Sequence, residues 1–331
     1  MSRSRRKRGR ALGEDGDETA VDRVLAALER WPDGMHDLGE PTIDLPQDWP
    51  PAVIDVYLAM GGARLFGDAV VLTPPAELPP PDEDGRIEFA TVDDEPRWFD
   101  RAGRVWREDP DSGERVLEGT ALDRWLHGAV DAAALLFDAD GEFAEDAFTE
   151  DGELTPACAL ARARAQVKRD ARAPGPRWRL ARLLAEAGEL APARRELEEV
   201  VALAPTLGWA WLDLARLSER LGELAGALDE ARAAADADPQ HEQRGHFLAE
   251  AARLAAAAGD EAARHELAAR ALAVAPDLAR AQTAGAEDQL AAGELDGAAH
   301  LAALARALAP RDLAVLDLAR RIEAARDAAR N

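Results

Sequence analysis

A repeating pattern of glycine and proline in the C-terminal half of the chain constrains its fold more than any other feature. Four glycines are spaced 34, 37 and 34 residues apart, and each is followed 17 residues later by a proline. The pairs are Gly188 with Pro205, Gly222 with Pro239, Gly259 with Pro276, and Gly293 with Pro310. Because glycine often ends a helix and proline cannot continue one, each unit is predicted to be a helix, a turn and a second helix. A lone hairpin cannot bury its apolar stripe, so the units are predicted to stack on one another.

The second of these units carries the most complete set of motif residues. They are Trp211, Leu214, Gly222, Ala227, Ala234 and Pro239. This pattern resembles the tetratricopeptide repeat (TPR) family, and the resemblance extends over residues 172–310 as four repeats, with residues 311–331 as a polar capping helix. The third unit is longer, and its insertion is expected between Pro239 and Ala251. The resemblance implies an all-α solenoid that acts as a protein-binding scaffold.

The N-terminal half mixes helical and strand patterns. Helices are predicted over residues 21–31, 51–60 and 121–130, and strands over residues 69–72 and 87–90. A hairpin is predicted to join residues 97–99 to residues 104–106 around a turn that contains a glycine. An α+β domain over residues 20–130 is therefore expected to precede the solenoid.

The order of these elements, together with several short motifs, resembles the SUKH superfamily. The motifs are Leu45-Pro46, residues 53–58, Gly61-Gly62, residues 64–68, Phe99-Asp100, residues 103–106 and Trp125-Leu126. The resemblance implies a non-enzymatic binding fold, which bacteria use largely in immunity proteins that neutralise polymorphic toxins and also in regulatory modules. Trp98 and Trp106 are the candidate residues of its binding face, because aromatic side chains often anchor interfaces. The alternative is that both pack within the domain.

Charge is distributed unevenly along the chain. The net charge is −24: residues 1–10 carry six Arg or Lys, residues 11–160 sum to −27, and residues 161–331 sum to −3. Phosphate binding needs a basic face, so only the tail from Arg3 to Arg10 is suited to nucleic acid. The acidic half instead favours a basic protein partner, such as a cationic toxin.

Charge also suggests where the domains end. Residues 1–19, basic and then acidic, are predicted to be a disordered tail. Residues 131–171, acidic and then basic, are predicted to be a linker that contains one helix.

Targeting and redox signals favour a cytoplasmic protein with no membrane partner. The longest stretch without charged residues, 200–212, is too short to span a bilayer and contains Pro205. The basic N-terminus is not followed by the apolar segment of a signal peptide. The single Cys158 cannot form an intrachain disulfide.

No catalytic, cofactor-binding or metal-binding constellation is predicted. His241 and His246 are five residues apart and cannot share a metal on one helix face. Residues 138–142 begin like a calcium loop but place the glycine too early, so they are expected to form a turn. Three function classes remain, in this order: a protein-interaction adaptor, a toxin-neutralising immunity protein, and an enzyme with an unrecognised site.

An arginine recurs six residues before the turn glycine in three successive repeats. By the TPR resemblance, this position faces the concave surface, where an acidic or carboxylate-bearing extended peptide would fit. The residues predicted to line this groove are Trp178, Arg182, Trp209, Arg216, Arg220, His246, Arg253 and Arg280.

Two other roles for the groove arginines remain open. They could pair with acids on their own helices, as Arg216 with Glu219 or Arg220 with Glu223. Alternatively, the acidic segment 138–153 could occupy the groove in the resting protein.

Overall fold

A computed structural model describes residues 19–330, which divide between Arg172 and Ala173 into two units. The helices of the first unit are α1 (Ala20–Leu28), α2 (Pro51–Met60), α3 (Leu122–Ala134) and α4 (Pro156–Arg169). Its strands are β1 (His36–Leu38), β2 (Ala63–Leu65), β3 (Val70–Leu72), β4 (Ile87–Val92), β5 (Glu95–Phe99), β6 (Val105–Glu108) and β7 (Arg115–Gly119). The predicted basic tail lies outside the described residues except for Thr19, which caps α1 by accepting a hydrogen bond from the Asp22 N–H.

The second unit contains helices only within its described residues. They are α5 (Pro174–Glu186), α6 (Leu190–Leu203), α7 (Gly208–Arg220), α8 (Leu224–Ala237), α9 (Arg244–Ala257), α10 (Glu261–Val274), α11 (Leu278–Ala292), α12 (Leu295–Leu308) and α13 (Leu313–Arg330). The predicted fold class, an α+β domain followed by an all-α TPR-type solenoid, is confirmed.

The seven strands of the first unit form one antiparallel sheet in which each strand pairs with its neighbour in the chain. The predicted hairpin is present, with Trp98 opposite Trp106 and Phe99 opposite Val105. The tight turn between β4 and β5 was not predicted, because Asp93 and Asp94 adopt the left-handed conformation there, at φ of 51° and 64°, where glycine is usual.

Helices α1, α2 and α3 supply the apolar side chains that complete the core of the first unit. Val53 and Tyr57 from α2 and Leu126 from α3 are buried with Phe89 from β4. The Tyr57 hydroxyl donates a hydrogen bond to the Thr73 carbonyl at 3.0 Å. Burial raises the pKa of Tyr57 far above its ordinary value, so the phenol stays neutral.

Residues 131–171, expected to be a linker, are instead folded onto the first unit. Helix α4 packs against α3, and two isolated β-bridges join Phe137 to Phe143 and Phe148 to Leu154 between them. The Asp170 side chain accepts hydrogen bonds from the backbone N–H and the hydroxyl of Thr120, at 2.6 and 2.8 Å. Apolar residues spaced among the acids tie the segment down, which a prediction based on charge alone overlooked.

The second unit is built from four helical hairpins, α5–α6, α7–α8, α9–α10 and α11–α12, with the four repeat glycines at their turns. The extra residues of the third unit fall in the connection between α8 and α9, residues 238–243, within the predicted interval. The last helix, α13, packs on α12 and α11 and buries Val315, Leu318 and Ile322.

The fourth hairpin is packed differently from the others. Helix α12, rather than α11, packs against α9 and α10, and its Leu304 and Leu308 join the core of the preceding hairpins. Helix α11 buries only Ala286. The helix with the leucines takes the stacking position because it has more apolar surface to remove from water.

The turn after α2 offers a test of the fold with a matched control. Gly61 has φ of 55°, and a Cβ there would lie 1.8 Å from the Glu40 carbonyl oxygen, whereas Gly67 has φ of 58° and nothing within 4 Å. We expect Gly67→Ala to lower the free energy of unfolding by about 1 kcal/mol, from backbone strain alone. Gly61→Ala should cost at least about 3 kcal/mol, because the clash adds to the strain. Denaturant titration checks this, and equal losses would contradict the packing at Gly61.

Candidate functional site

The arginines at the recurring position lie on the first helices of three successive hairpins, and all are bonded to carboxylates of the array. Arg182 donates a hydrogen bond to Asp213 on α7 at 2.9 Å. Arg216 donates to Glu250 on α9 at 3.2 Å and lies 3.5 Å from Asp213. Arg253 donates to Glu250 at 2.9 Å. The guanidinium groups at this position are therefore engaged with acids of the array and do not form a row of free positive charges.

A further acid completes this network between α7 and α9. Arg253 donates to both oxygens of Glu219, at 2.7 and 2.6 Å, in a two-pronged geometry. The two same-helix pairs named from the sequence, Arg216 with Glu219 and Arg220 with Glu223, do not form among the described residues. Same-helix pairing does occur with the acid three residues earlier, Asp213 for Arg216 and Glu250 for Arg253. Pairing runs mainly between neighbouring hairpins, and we call the set Arg182, Asp213, Arg216, Glu219, Glu250 and Arg253 the inner-face network.

Glu250 is the most deeply buried member of the inner-face network, with no exposed surface. Arg216 and Arg253 face it, and its Oε1 lies 2.9 Å from His300 Nε2 on α12 and 3.8 Å from His246 Nε2. Burial alone would raise the pKa of Glu250, but the hydrogen bond and charge of His300 and the charges of the two arginines outweigh it and hold that pKa well below its ordinary value. The carboxylate therefore stays ionised inside the array.

The predicted groove tryptophans have different environments. Trp178 is only 1% exposed, donates its indole N–H to Asp213 at 2.8 Å, and has the Arg182 guanidinium 4.0 Å above its ring. It supports the inner-face network instead of offering a contact surface. Trp209 is half-buried, 5.7 Å from the ring of His246.

Two other predicted groove residues, Arg220 and Arg280, lie outside the inner-face network and have different partners. Arg220 is exposed and donates to the carbonyl of Ala185 at 3.0 Å. Arg280 lies on α11, the helix that leaves the stacking position, and pairs with Asp277, which directly precedes that helix. Within residues 19–330, Arg280 does not join the inner-face network.

Trp98 and Trp106 lie side by side on the sheet face opposite the buried Phe99 and Val105. Both are half-buried and covered by arginines: Arg115 lies 5.0 Å from the Trp98 ring, and Arg86 and Arg104 lie 4.8 and 5.3 Å from the Trp106 ring. The indole N–H of Trp106 donates to Asp100 at 3.0 Å. The two tryptophans therefore share one face of the sheet.

No cluster of three or more His, Cys, Asp or Glu able to hold a metal occurs in residues 19–330. Cys158 is buried, and desolvation raises the pKa of its thiol. None of the helices described is long and apolar enough to cross a membrane.

Sequence reasoning missed two acids of the inner-face network, Asp213 and Glu250, and paired the third, Glu219, with Arg216 instead of Arg253. Asp213 and Glu250 each lie three residues before a recurring arginine, at Arg216 and Arg253. That repeated acid and arginine spacing was the available signal.

Comparison with known proteins finds structural likeness only. No protein-family model and no curated protein matches the chain. Among solved structures, it is similar to MamA (14% identity, covering 52% of this chain and 89% of that one, TM-score 0.35). It is also similar to YrrB, described as a TPR protein with an unusual peptide-binding site (15% identity, 50% and 84% covered, TM-score 0.33). A third is TTC0263, a thermophilic TPR protein of Thermus thermophilus (26% identity, 51% and 90% covered, TM-score 0.33).

Neutralising Glu250 should destabilise the array. Glu250→Gln removes the charge that Arg216 and Arg253 face, and we expect a loss of about 3 kcal/mol in the free energy of unfolding, because breaking a buried ion pair strands its partners. The control Glu266→Gln alters an exposed acid on α10 and should change stability by less than about 0.5 kcal/mol. Denaturant unfolding followed by helical circular dichroism measures both, and equal effects would argue against the network.

The same carboxylate should give stability a characteristic pH dependence. A group whose pKa is depressed in the folded state adds stability above its unfolded pKa, near 4.3 for Glu, and that stability is lost as pH falls through the folded value. The stability difference between the native chain and Glu250→Gln should therefore be full above about pH 5 and shrink steadily below about pH 4. Unfolding titrations across this range test it. A difference that grew on acidification would mean that Glu250 is not held ionised.

Proposed function

We propose that this chain is a non-enzymatic protein-interaction adaptor whose helical array binds an extended segment of a partner along its inner face. The observation that carries the proposal is the inner-face network, which links α5, α7 and α9 from Arg182 to Arg253. Fixed spacing between successive hairpins prepares a binding surface before the ligand arrives. Preorganisation of this kind reduces the entropy lost on binding.

Exposure within the groove suggests the chemistry of the ligand. Arg216 has 40% of its side chain exposed and Arg220 is exposed, whereas Arg182 and Arg253 are largely covered. Carboxylates of a partner segment would therefore meet Arg216 and Arg220 first. Trp209 lies half-buried on the same hairpin as these two residues and offers apolar contact.

We further propose that the first unit is a second, SUKH-like binding module. The order of α1, α2, the strands and α3 supports this, as does the pair formed by Trp98 and Trp106 on one sheet face. A narrower candidate function is toxin immunity, in which the acidic first unit would bind a cationic toxin. The charge of −27 over residues 11–160 is the observation that favours it.

Photo-crosslinking from the array tests the adaptor proposal directly. A photoreactive phenylalanine analogue placed at Arg220 or at Ala257 samples the same inner position of two successive hairpins, two residues before each turn glycine. The control positions, Glu199 and Ala269, are exposed on the second helices α6 and α10. In cells that make the full-length protein, both inner positions should yield an adduct with the same partner, and the control positions should not.

Substitution of the exposed arginines adds a second readout. Arg216→Ala combined with Arg220→Ala should reduce the Ala257 adduct, because partner carboxylates would lose their donors. Adducts that arise only from the control positions, or none from the inner positions, would refute binding in the groove.

A further inference from the structure

The turn region between α3 and α4 carries an unusual concentration of unpaired charge. Residues 138–153 contain eight carboxylates and no Lys or Arg: Asp138, Asp140, Glu142, Glu145, Asp146, Glu150, Asp151 and Glu153. None of the eight forms an ion pair with any residue of the described part of the chain. Asp138 shapes its turn by accepting hydrogen bonds from the backbone N–H groups of Asp140 and Glu142, at 3.0 and 3.1 Å. Mutual repulsion nevertheless makes the cluster as a whole a cost to folding.

The backbone of this region is fixed by two successive bridged turns. The first, 137–143, closes with a hydrogen bond from the Asp138 N–H to the Glu142 carbonyl at 2.8 Å, and the second, 148–154, closes from the Thr149 N–H to the Glu153 carbonyl at 2.7 Å. Each turn carries Asp-Gly-Glu between two apolar residues. The acidic groups are thus presented by an ordered backbone.

An exposed aromatic ring stands among these acids. Phe143 is 66% exposed, yet its ring stacks 4.9 Å from Phe137 and meets the edge of Phe148 at 5.1 Å. Phe137 in turn stacks 5.9 Å from Phe66, which belongs to the core of the first unit. A chain of rings therefore holds Phe143 rigidly at the surface, and rigid aromatic side chains are typical interface anchors.

We propose that residues 137–154 form a docking surface for a basic protein, whose Lys and Arg side chains pair with the eight carboxylates while an apolar side chain covers Phe143. Charge complementarity selects this partner class. A second copy of this acidic turn pair is disfavoured because its own carboxylates would repel these. The surface lies in the first unit and does not depend on the array groove, so failure here leaves the adaptor proposal standing.

Two arginine-rich synthetic peptides serve as probes, identical except that one has a central leucine where the other has glycine. Titration of the full-length protein should show binding that weakens with salt, and tighter binding of the leucine peptide. The basic N-terminal tail is a potential competitor, so the titration is repeated with residues 1–18 removed. Failure of both proteins to bind either peptide would overturn the proposal.

A charge-matched pair of variants separates the surface from net charge. The surface variant carries Asp140→Asn, Glu142→Gln, Glu145→Gln and Asp151→Asn. The control variant neutralises four exposed acids elsewhere in the first unit, with Asp44→Asn, Asp48→Asn, Asp55→Asn and Glu108→Gln. The surface variant should bind about tenfold more weakly and the control within about twofold of the native chain. Equal losses would show that binding follows overall charge, and the docking surface would be wrong.

Substitutions of Phe143 test separately whether its ring is the apolar anchor of the docking surface. Phe143→Ser should abolish the preference for the leucine peptide over the glycine peptide, whereas Phe143→Tyr should keep it. Circular dichroism of each variant confirms that the fold is retained. A preference that survives Phe143→Ser, or that is absent from the native protein, would remove the apolar anchor from the account.

Discussion

Each hairpin of the array depends on the next to cover its apolar stripe, and every other feature of the second unit follows from that dependence. The buried faces are rich in alanine, which allows neighbouring helices to approach closely. At Gly208, at the start of α7, an added Cβ would lie 2.6 Å from the ring of Phe247 on α9. Hairpins this close must keep a fixed spacing, because small shifts would open voids or create clashes.

The inner-face network adds polar contacts to this apolar stacking, and these contacts help to fix how successive hairpins align. Each charge of the network meets a partner in a neighbouring hairpin, and Arg216 and Arg253 also meet acids on their own helices. Glu250 shows how strong the dependence is, since a fully buried carboxylate is tolerated only when cations surround it. Under the proposed function, a ligand would therefore meet a preformed surface with a few exposed donors, not a bare row of positive charge.

Local signals in the sequence were sufficient for much of this fold. Turn glycines and prolines identified the hairpins because they act on the backbone where they stand, and the recurring arginine position was found by counting. Asp213 and Glu250 were not identified as partners, because their bonds to Arg182 and Arg216 join different repeats. Their spacing of three residues before Arg216 and Arg253 was a local signal that was overlooked. Similarly, α12 packs against α9 and α10 in place of α11 because α12 has the larger apolar surface. This outcome depends on both helices together, so the sequence pattern of either helix alone does not predict it.

For the acidic segment 138–153, the prediction gave a local signal, the run of charges, too much weight. Its charges dominated the prediction of a linker, while Phe137, Phe143 and Phe148 were too sparse to count as a core. These three side chains are enough to fix the segment because they extend the existing core of the first unit.

That ion pairs between repeats help to set the register of the stacked hairpins is tested most directly by a double-mutant cycle on Arg253 and Glu219. These two side chains join α9 to α7 through two parallel hydrogen bonds. Unfolding free energies of Arg253→Ala, Glu219→Ala and the double variant yield their coupling. We expect a coupling energy of about 1–3 kcal/mol. Additive effects, with a coupling near zero, would contradict it.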